Sequence, residues 1–282
     1  MLKIVLDGAG DVPEEWLADY DLHVIPINIH FGEQTYLQGV TLSNADFYRL
    51  VEANRAIPKT SQPSPQQFVD FYKRIAQPGD TILSIHVTSK LSGTFASAEL
   101  AARELEGEYR VIPFDSGCGS AAQGYMCREA RDLERAGASV ADILQRLEFM
   151  RRQMQIILTL DTLDYARMSG RVKALQAALA SLLNVKPIVV LKDGVLDMAD
   201  RVRTRRRAME CVVEMVSGEF ARRKVNVAIV HAQDPEAGLI LKELVKSALN
   251  CQEIITTSLS ISVAANLGPG TVGVVAYPVD EE

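Results

Sequence analysis

What this chain lacks narrows its chemistry first. No CxxC pair occurs, and the four cysteines, Cys118, Cys127, Cys211 and Cys251, stand far apart. That spacing suits reduced thiols in a cytosolic chain better than a disulfide framework. Basic charge is not in excess: 30 Lys and Arg face 36 Asp and Glu, a net charge of −6, so a nucleic acid is not the expected partner. Histidine is scarce and scattered, at His23, His30, His86 and His231. These read as core or surface residues, and neither a metal nor another cofactor is expected. The motifs GxxxxGK(S/T), DxDxT, GxSxG and HExxH are all missing, which removes the commonest phosphate-loop, hydrolase and zinc-protease readings. The opening MLKIVLDGAGD has no signal-peptide apolar core, so a cytoplasmic protein is expected. No charge falls in residues 254–279, yet six Ser/Thr residues, Asn266 and the Gly268-Pro269-Gly270 break make that stretch too polar for a membrane span. Buried strands flanking a Gly-rich loop are expected there instead.

What is present is alternation. The 282 residues suffice for one large or two ordinary domains. KIVLD opens as a strand, and HVIPINIHF with QTYLQGV reads as a hairpin around Gly32. A helix over 43–54, an irregular segment IPKTSQPSP, helix 65–76, strand 81–87, helix 93–106, strand 109–115 and two helices across 120–152 follow. Such βα alternation predicts a mostly parallel sheet with helices on both faces. Beyond about 154 the rhythm changes to strand IILTLD, a short helix and turn in TLDYARMSGRV, and a helix in KALQAALASLL. PIVVLKDGVLDMADRVR predicts two strands joined at Asp193-Gly194. A helix over 205–222 carries Met209, Val212, Val213, Val216 and Phe220 on one face. Strand VNVAIVHA, helix 235–249 and strands EIITTSL and TVGVVAY complete a mixed sheet. The fold class is therefore α/β, with residues 1–154 as an N-terminal domain and 155–282 as a C-terminal one. No repeat, low-complexity tract or Pro/Ser linker marks the boundary.

Two hydroxyl-rich turns are candidate ligand sites. In open α/β sheets ligands collect beyond the carboxyl ends of strands, where the next helix presents unpaired N–H groups. Ser92-Gly93-Thr94 falls at such a junction, before a helix whose expected buried stripe is Phe95, Ala98, Ala102 and Leu105. Gly93 would permit close approach to the backbone, and Ser92 and Thr94 would add hydroxyl donors. A simple helix cap uses the same residue types, so both readings stand on this stretch. In Lys59-Thr60-Ser61-Gln62-Pro63-Ser64-Pro65, Ser64 and Pro65 are explained as cap and first helical residue, which leaves Thr60 and Ser61. Hydroxyls without a nearby carboxylate suit one anionic group.

Two further features compete. Gly117-Cys118-Gly119-Ser120-Ala121-Ala122 fits GxGxxA between a strand and a helix, the position of a dinucleotide motif. It underlies the alternative of a nucleotide- or NAD-dependent enzyme using the Gly117-Gly119-Ala122 turn. The run RVRTRRR, 201–207, places Arg205, Arg206 and Arg207 in the first turn after Thr204, where the helix dipole prefers carboxylates. A charge pattern against the local rule points to a functional surface.

Asp7, Lys59-Thr60-Ser61-Gln62-Pro63, the run Thr88 to Thr94, Asp115-Ser116, Ser169-Gly170-Arg171, Asp193-Gly194, Val202-Arg203-Thr204 and Gly268-Pro269-Gly270 occur in one order along the whole chain. In that order they resemble the DegV family of bacterial fatty-acid-binding proteins, the lipid-carrying subunits of fatty acid kinase. The resemblance implies two α/β domains holding one long-chain fatty acid, about C16–C18, between them. It implies that the carboxylate is held by Thr60 or Ser61 and by Ser92-Gly93, with no catalysis by this chain itself. A separate kinase subunit, related to dihydroxyacetone kinases, would phosphorylate that carboxylate to an acyl phosphate. Two positions depart from the family pattern: Asp7 is followed by Gly8 rather than Ser, and Asn266 stands where a headgroup His is usual. Asn266 can still donate a hydrogen bond but cannot become cationic. Arg171 and Arg203 are then the candidates to contact the kinase or the transferred phosphoryl group.

Overall fold

The computed structural model describes residues 1–54, 56–172 and 185–279. They fall into two compact units, Met1–Arg152 with Ser260–Ser262, and Gln153–Leu259 with Val263–Glu282.

In the first unit, apolar β-branched runs form β1 (Leu2–Asp7), β2 (Leu22–Ile25), β6 (Thr81–His86) and β7 (Arg110–Asp115). They pair in the order β2-β1-β6-β7, every neighbour parallel. Alternation along β1 and β6 sends Val5 and Ile82 to one face, where they meet α3 (Pro65–Ile75) and α4 (Thr94–Glu104) through Phe68, Tyr72, Ala98 and Ala101. The opposite face receives α5 (Ala121–Arg135), which is followed by α6 (Val140–Gln153). α4 buries Thr94, Ser97, Ala98, Ala101 and Leu105. Phe95 and Ala102 of the expected stripe are only half-buried, because a helix beginning at Thr94 turns its i, i+3, i+4 row one step away. Pro26 breaks HVIPINIHF, so its two halves serve different sheets. β3 (Asn28–Phe31) leaves β2 and turns at Gly32 into β4 (Gln34–Leu37), as the hairpin pattern predicts. Lys59–Ser61, expected to be irregular, is a short strand, β5, which pairs with β3 to give the order β4-β3-β5. A short helix α1 (Glu14–Asp19) was not anticipated, and α2 (Asn44–Asn54) was.

The second unit is a mixed six-stranded sheet of order β10-β9-β8-β13-β11-β12. β8 (Gln155–Thr159), β9 (Lys186–Lys192), β10 (Val195–Val202), β11 (Lys224–His231) and β13 (Val272–Pro278) pair antiparallel, and β11 pairs β12 (Asn250–Ser258) in parallel. Asp193 and Gly194 both take positive φ, 49° and 76°, as a two-residue hairpin turn requires. α8 (Arg205–Phe220) buries Met209, Val212, Val213, Val216 and Phe220, the whole expected face, and packs on the sheet beside α9 (Pro235–Ala248). α7 (Asp164–Ser169) follows β8. Within the uncharged 254–279 stretch, SISVAANL is a helix, α10 (Ile261–Leu267), rather than loop between strands. The helix expected over KALQAALASLL lies outside the described residues.

Candidate functional site

From β1 the chain crosses to β2 on one side, then returns past β1 to β6 and continues outward to β7. The direction of winding therefore reverses between β1 and β6, which makes their carboxyl ends the crevice where an open α/β sheet receives a ligand. Asp7 and His86 end those two strands. Asp7 is fully buried, and its Oδ1 accepts the Ala9 N–H (2.9 Å) while its Oδ2 accepts the Val87 N–H (2.9 Å). His86 Nδ1 lies 3.1 Å from Asp7 Oδ2, and its Nε2 lies 2.7 Å from Ser84 Oγ. Ser84 in turn accepts the Tyr72 hydroxyl hydrogen (2.8 Å). Burial holds the Tyr72 phenol well above its ordinary range, so it stays a donor.

The turn from β6 to α4 is gripped from both sides. Val87 N–H is held by Asp7, Thr88 N–H by Cys118 O (2.7 Å), and Ser89 N–H by Asp115 Oδ1 (3.2 Å), the carboxylate that ends β7. Leu91 and Ser92 N–H both turn back to Thr88 O. The residue capping α4 is Gly93, with no side-chain cap. Ser92 is thus not a simple N-cap: its Oγ pairs with Thr94 Oγ1 at 2.8 Å and accepts the Thr94 N–H at 3.3 Å. The helix start has two hydroxyls beside it, one of which takes its first N–H.

β5 brings the second hydroxyl-rich stretch to the same place. The Gln62 side chain rests on Gly93, where an added Cβ would lie 2.8 Å from Gln62 Nε2. Thr60 and Ser61 project to opposite faces of β5. Thr60 pairs with the buried Ile29, whereas Ser61 shares the face of Asn28 and His30. His30 Nε2 lies 2.8 Å from Ser61 Oγ, and its Nδ1 lies 2.9 Å from Thr35 Oγ1. Ser64 caps α3 in a full capping box with Gln67, Pro65 following as expected.

The remaining candidates belong to the second unit. Arg171 follows the left-handed Gly170 that ends α7, and its Nη1 donates to Ser169 O (2.6 Å). Arg203 is exposed between β10 and α8, and Asn266 is half-buried in α10. The Gly268-Pro269-Gly270 turn holds both glycines at positive φ, 91° and 75°, and a Cβ on Gly268 would meet the Tyr165 ring at 2.9 Å. Arg205, Arg206 and Arg207 are not an open basic surface. Arg205 pairs with Asp234 (2.6 Å), Arg206 with Glu210 (3.1 Å), and Arg207 with both oxygens of Glu214 (2.6 and 2.9 Å). Acids further along α8 and at the start of α9 neutralise the run, and Thr204 caps α8 as expected.

A model of the DegV family, described as of uncharacterised proteins, matches residues 1–279. This chain belongs to the DegV family. A DegV domain-containing protein of Deinococcus radiodurans is 35% identical over 99% of both chains. A Thermus thermophilus DegV-family structure, described by its fatty-acid binding, superposes with a TM-score of 0.90 at 31% identity, covering 99% of each chain. The structure of Bacillus subtilis DegV, described as a fatty-acid-binding protein, gives 0.86 at 29% identity over 98% of this chain and 99% of that one.

Within this DegV-family chain the nucleotide reading of 117–122 fails on geometry. Ser120, at the start of α5, commits its hydroxyl to Asp11 and its N–H to Ala9 O (2.8 Å). Ala121 and Ala122 are buried, and a Cβ on Gly124 would lie 2.5 Å from Asp11 O. The chain itself covers the helix start, and a phosphate there would face the Asp11 carboxylate. Asp11 Oδ1 also accepts the Ser260 N–H (2.7 Å), yet burial outweighs these bonds and pushes its pKa from the ordinary 3.8 up to about 6. Among the described residues no cluster of three or more His, Cys, Asp or Glu could hold a metal ion, and no helix is long and apolar enough to cross a membrane. Sequence reasoning missed the Asp7–His86–Ser84–Tyr72 chain. Its trace was present: Ser84 and His86 are polar residues at i and i+2 of an otherwise apolar strand.

Proposed function

We propose that this DegV-family chain binds one long-chain fatty acid of about C16–C18, with its carboxylate held by the Thr60 or Ser61 hydroxyl and the Ser92-Gly93 turn. The observation that carries the reading is the contact of Gln62 with Gly93, which joins the two hydroxyl-rich stretches at the carboxyl end of β6. The fatty-acid binding ascribed to the Thermus and Bacillus relatives supports the same reading. The energetics suit a carrier. About fifteen methylenes at ~0.8 kcal/mol each contribute on the order of 12 kcal/mol gross. A hydrogen bond to the charged headgroup adds about 1.5–3 kcal/mol. The tail dominates affinity and the hydroxyls fix direction.

The chain acts without a cofactor, in the cytoplasm, as the substrate-carrying subunit of a fatty acid kinase. Residues 1–154 supply the headgroup turns, while Arg171 and Arg203 in 155–282 meet the kinase or the transferred phosphoryl group, with Asn266 a neutral donor to the headgroup. Native mass spectrometry of the purified protein followed by solvent extraction tests the reading. One co-purifying C16–C18 acid per chain is expected; a bound nucleotide in its place overturns it.

A further inference from the structure

We infer that Asp7 and His86 form a positioning pair that sets the geometry of the Val87–Thr94 turn and, through it, the selectivity for a carboxylate headgroup. The inference rests on the reading that this turn receives the headgroup.

The proton inventory makes the pair directional. Asp7 accepts the Val87 and Ala9 N–H groups, one on each oxygen, and is fully buried. With a hydrogen on Nδ1, His86 donates to Asp7 Oδ2 across 3.1 Å. Tyr72 donates to Ser84, whose hydroxyl lies 2.7 Å from His86 Nε2. A hydrogen on Nδ1 is consistent with every contact in the chain, and the Phe68 ring packs edge-on against the imidazole at 5.1 Å. Ser84, His86 and Tyr72 are all inaccessible to solvent, so no water competes for these bonds. Asp7 is thereby locked in orientation, and one carboxylate fixes both turns that border the crevice, at Ala9 after β1 and at Val87 after β6. The Ser92 hydroxyl lies five residues beyond Val87, in a turn held further by the Thr88 and Ser89 amides and by the Leu91 and Ser92 amides on Thr88 O. Loosening the first anchor should misplace the headgroup donors while leaving the acyl pocket intact.

The test compares a long-chain fatty acid with the alcohol of equal chain length, by displacement of a fluorescent acyl probe from the purified full chain. In His86→Leu the imidazole donor is lost, whereas His86→Asn retains an N–H close to the Nδ1 position. His86→Leu should weaken the acid about tenfold and the alcohol less than about twofold, and His86→Asn should restore most of the acid affinity. Equal loss for acid and alcohol, no loss in either, or an Asn variant no better than Leu overturns the positioning role. Ser92→Ala is run in parallel. Should it fail to discriminate acid from alcohol, the headgroup reading itself falls. Should it discriminate while folded His86→Leu does not, only the present inference falls. If His86→Leu does not fold, the wild type still decides. Its ring Nδ1 proton should be observed by NMR and should shift on saturation with the acid but not with the alcohol; an unmoved resonance overturns the inference.

Discussion

At the residue scale, the hydroxyls of the two turns differ in what already engages them. Ser61 is engaged by His30, Ser64 caps α3, and Ser92 shares a hydrogen with Thr94 at the start of α4. Thr60→Ala and Ser92→Ala should each weaken fatty-acid binding by about 1–3 kcal/mol without unfolding the chain. Titration calorimetry with a C16 acid checks both, with Ser61→Ala measured beside them. Asp11 gives a separate, pH-dependent expectation. Its folded pKa of about 6 lies above the ordinary 3.8, so the folded chain holds more protons than the unfolded one across that window. Stability therefore falls as pH rises from about 4 to 6, and the ionised carboxylate is a net cost above that. Asp11→Asn can still accept from Ser260 and should gain on the wild type as pH rises, by up to about 3 kcal/mol at neutral pH. Melting temperatures at pH 4.5 and 7.5 measure this; a difference independent of pH would show that burial does not raise that carboxyl. Which serines were caps was legible in order and spacing, as Ser64-Pro65 shows. Which hydroxyl another side chain had claimed was not, because His30 and Ser61 lie 31 positions apart.

At the element scale, local pattern carried most strands and helices, and failed where a neighbour overruled it. Lys59–Ser61 has the composition of a loop and becomes a strand because β3 offers it a free edge. HVIPINIHF has the composition of one strand and becomes two, because Pro26 cannot donate to a ladder. SISVAANL stood in an uncharged run where a loop between strands was expected, and Ile261–Leu267 folds as α10. Packing also decides what a strand can carry. A Cβ on Gly273 would lie 2.5 Å from Ile157 O and 2.8 Å from Leu158 Cα, backbone that cannot step aside without disturbing the β8–β13 ladder. Gly273→Ala should therefore destabilise by at least about 2 kcal/mol, visible as a lowered denaturation midpoint with an unchanged slope. A neutral result would mean that β8 and β13 lie further apart. Ser64→Ala should cost about 1 kcal/mol by removing the α3 cap.

At the scale of the whole molecule, a tail-dominated carrier needs no cation to hold its acyl chain, but phosphoryl transfer needs positive charge around the moving oxygens. Arg171→Ala and Arg203→Ala should accordingly keep co-purifying lipid and lower acyl-phosphate formation with the cognate kinase by about tenfold or more. Asn266→His should raise that rate if the neutral amide limits transfer; wild-type turnover matched by Arg171→Ala would remove the role given to that arginine. The sequence alone determined the α/β class, the change from a parallel to a mixed sheet, the hairpin at Asp193-Gly194 and the family, because periodicity and turn chemistry act over a few residues. The pairing of the basic run with Glu214 and Asp234, the covering of the Gly117–Ala122 turn and the meeting of Gln62 with Gly93 were decided only by tertiary structure. Asp7 and His86, 79 positions apart, are joined for the same reason: β6 enters the sheet beside β1, and only strand pairing could bring those two ends within one hydrogen bond.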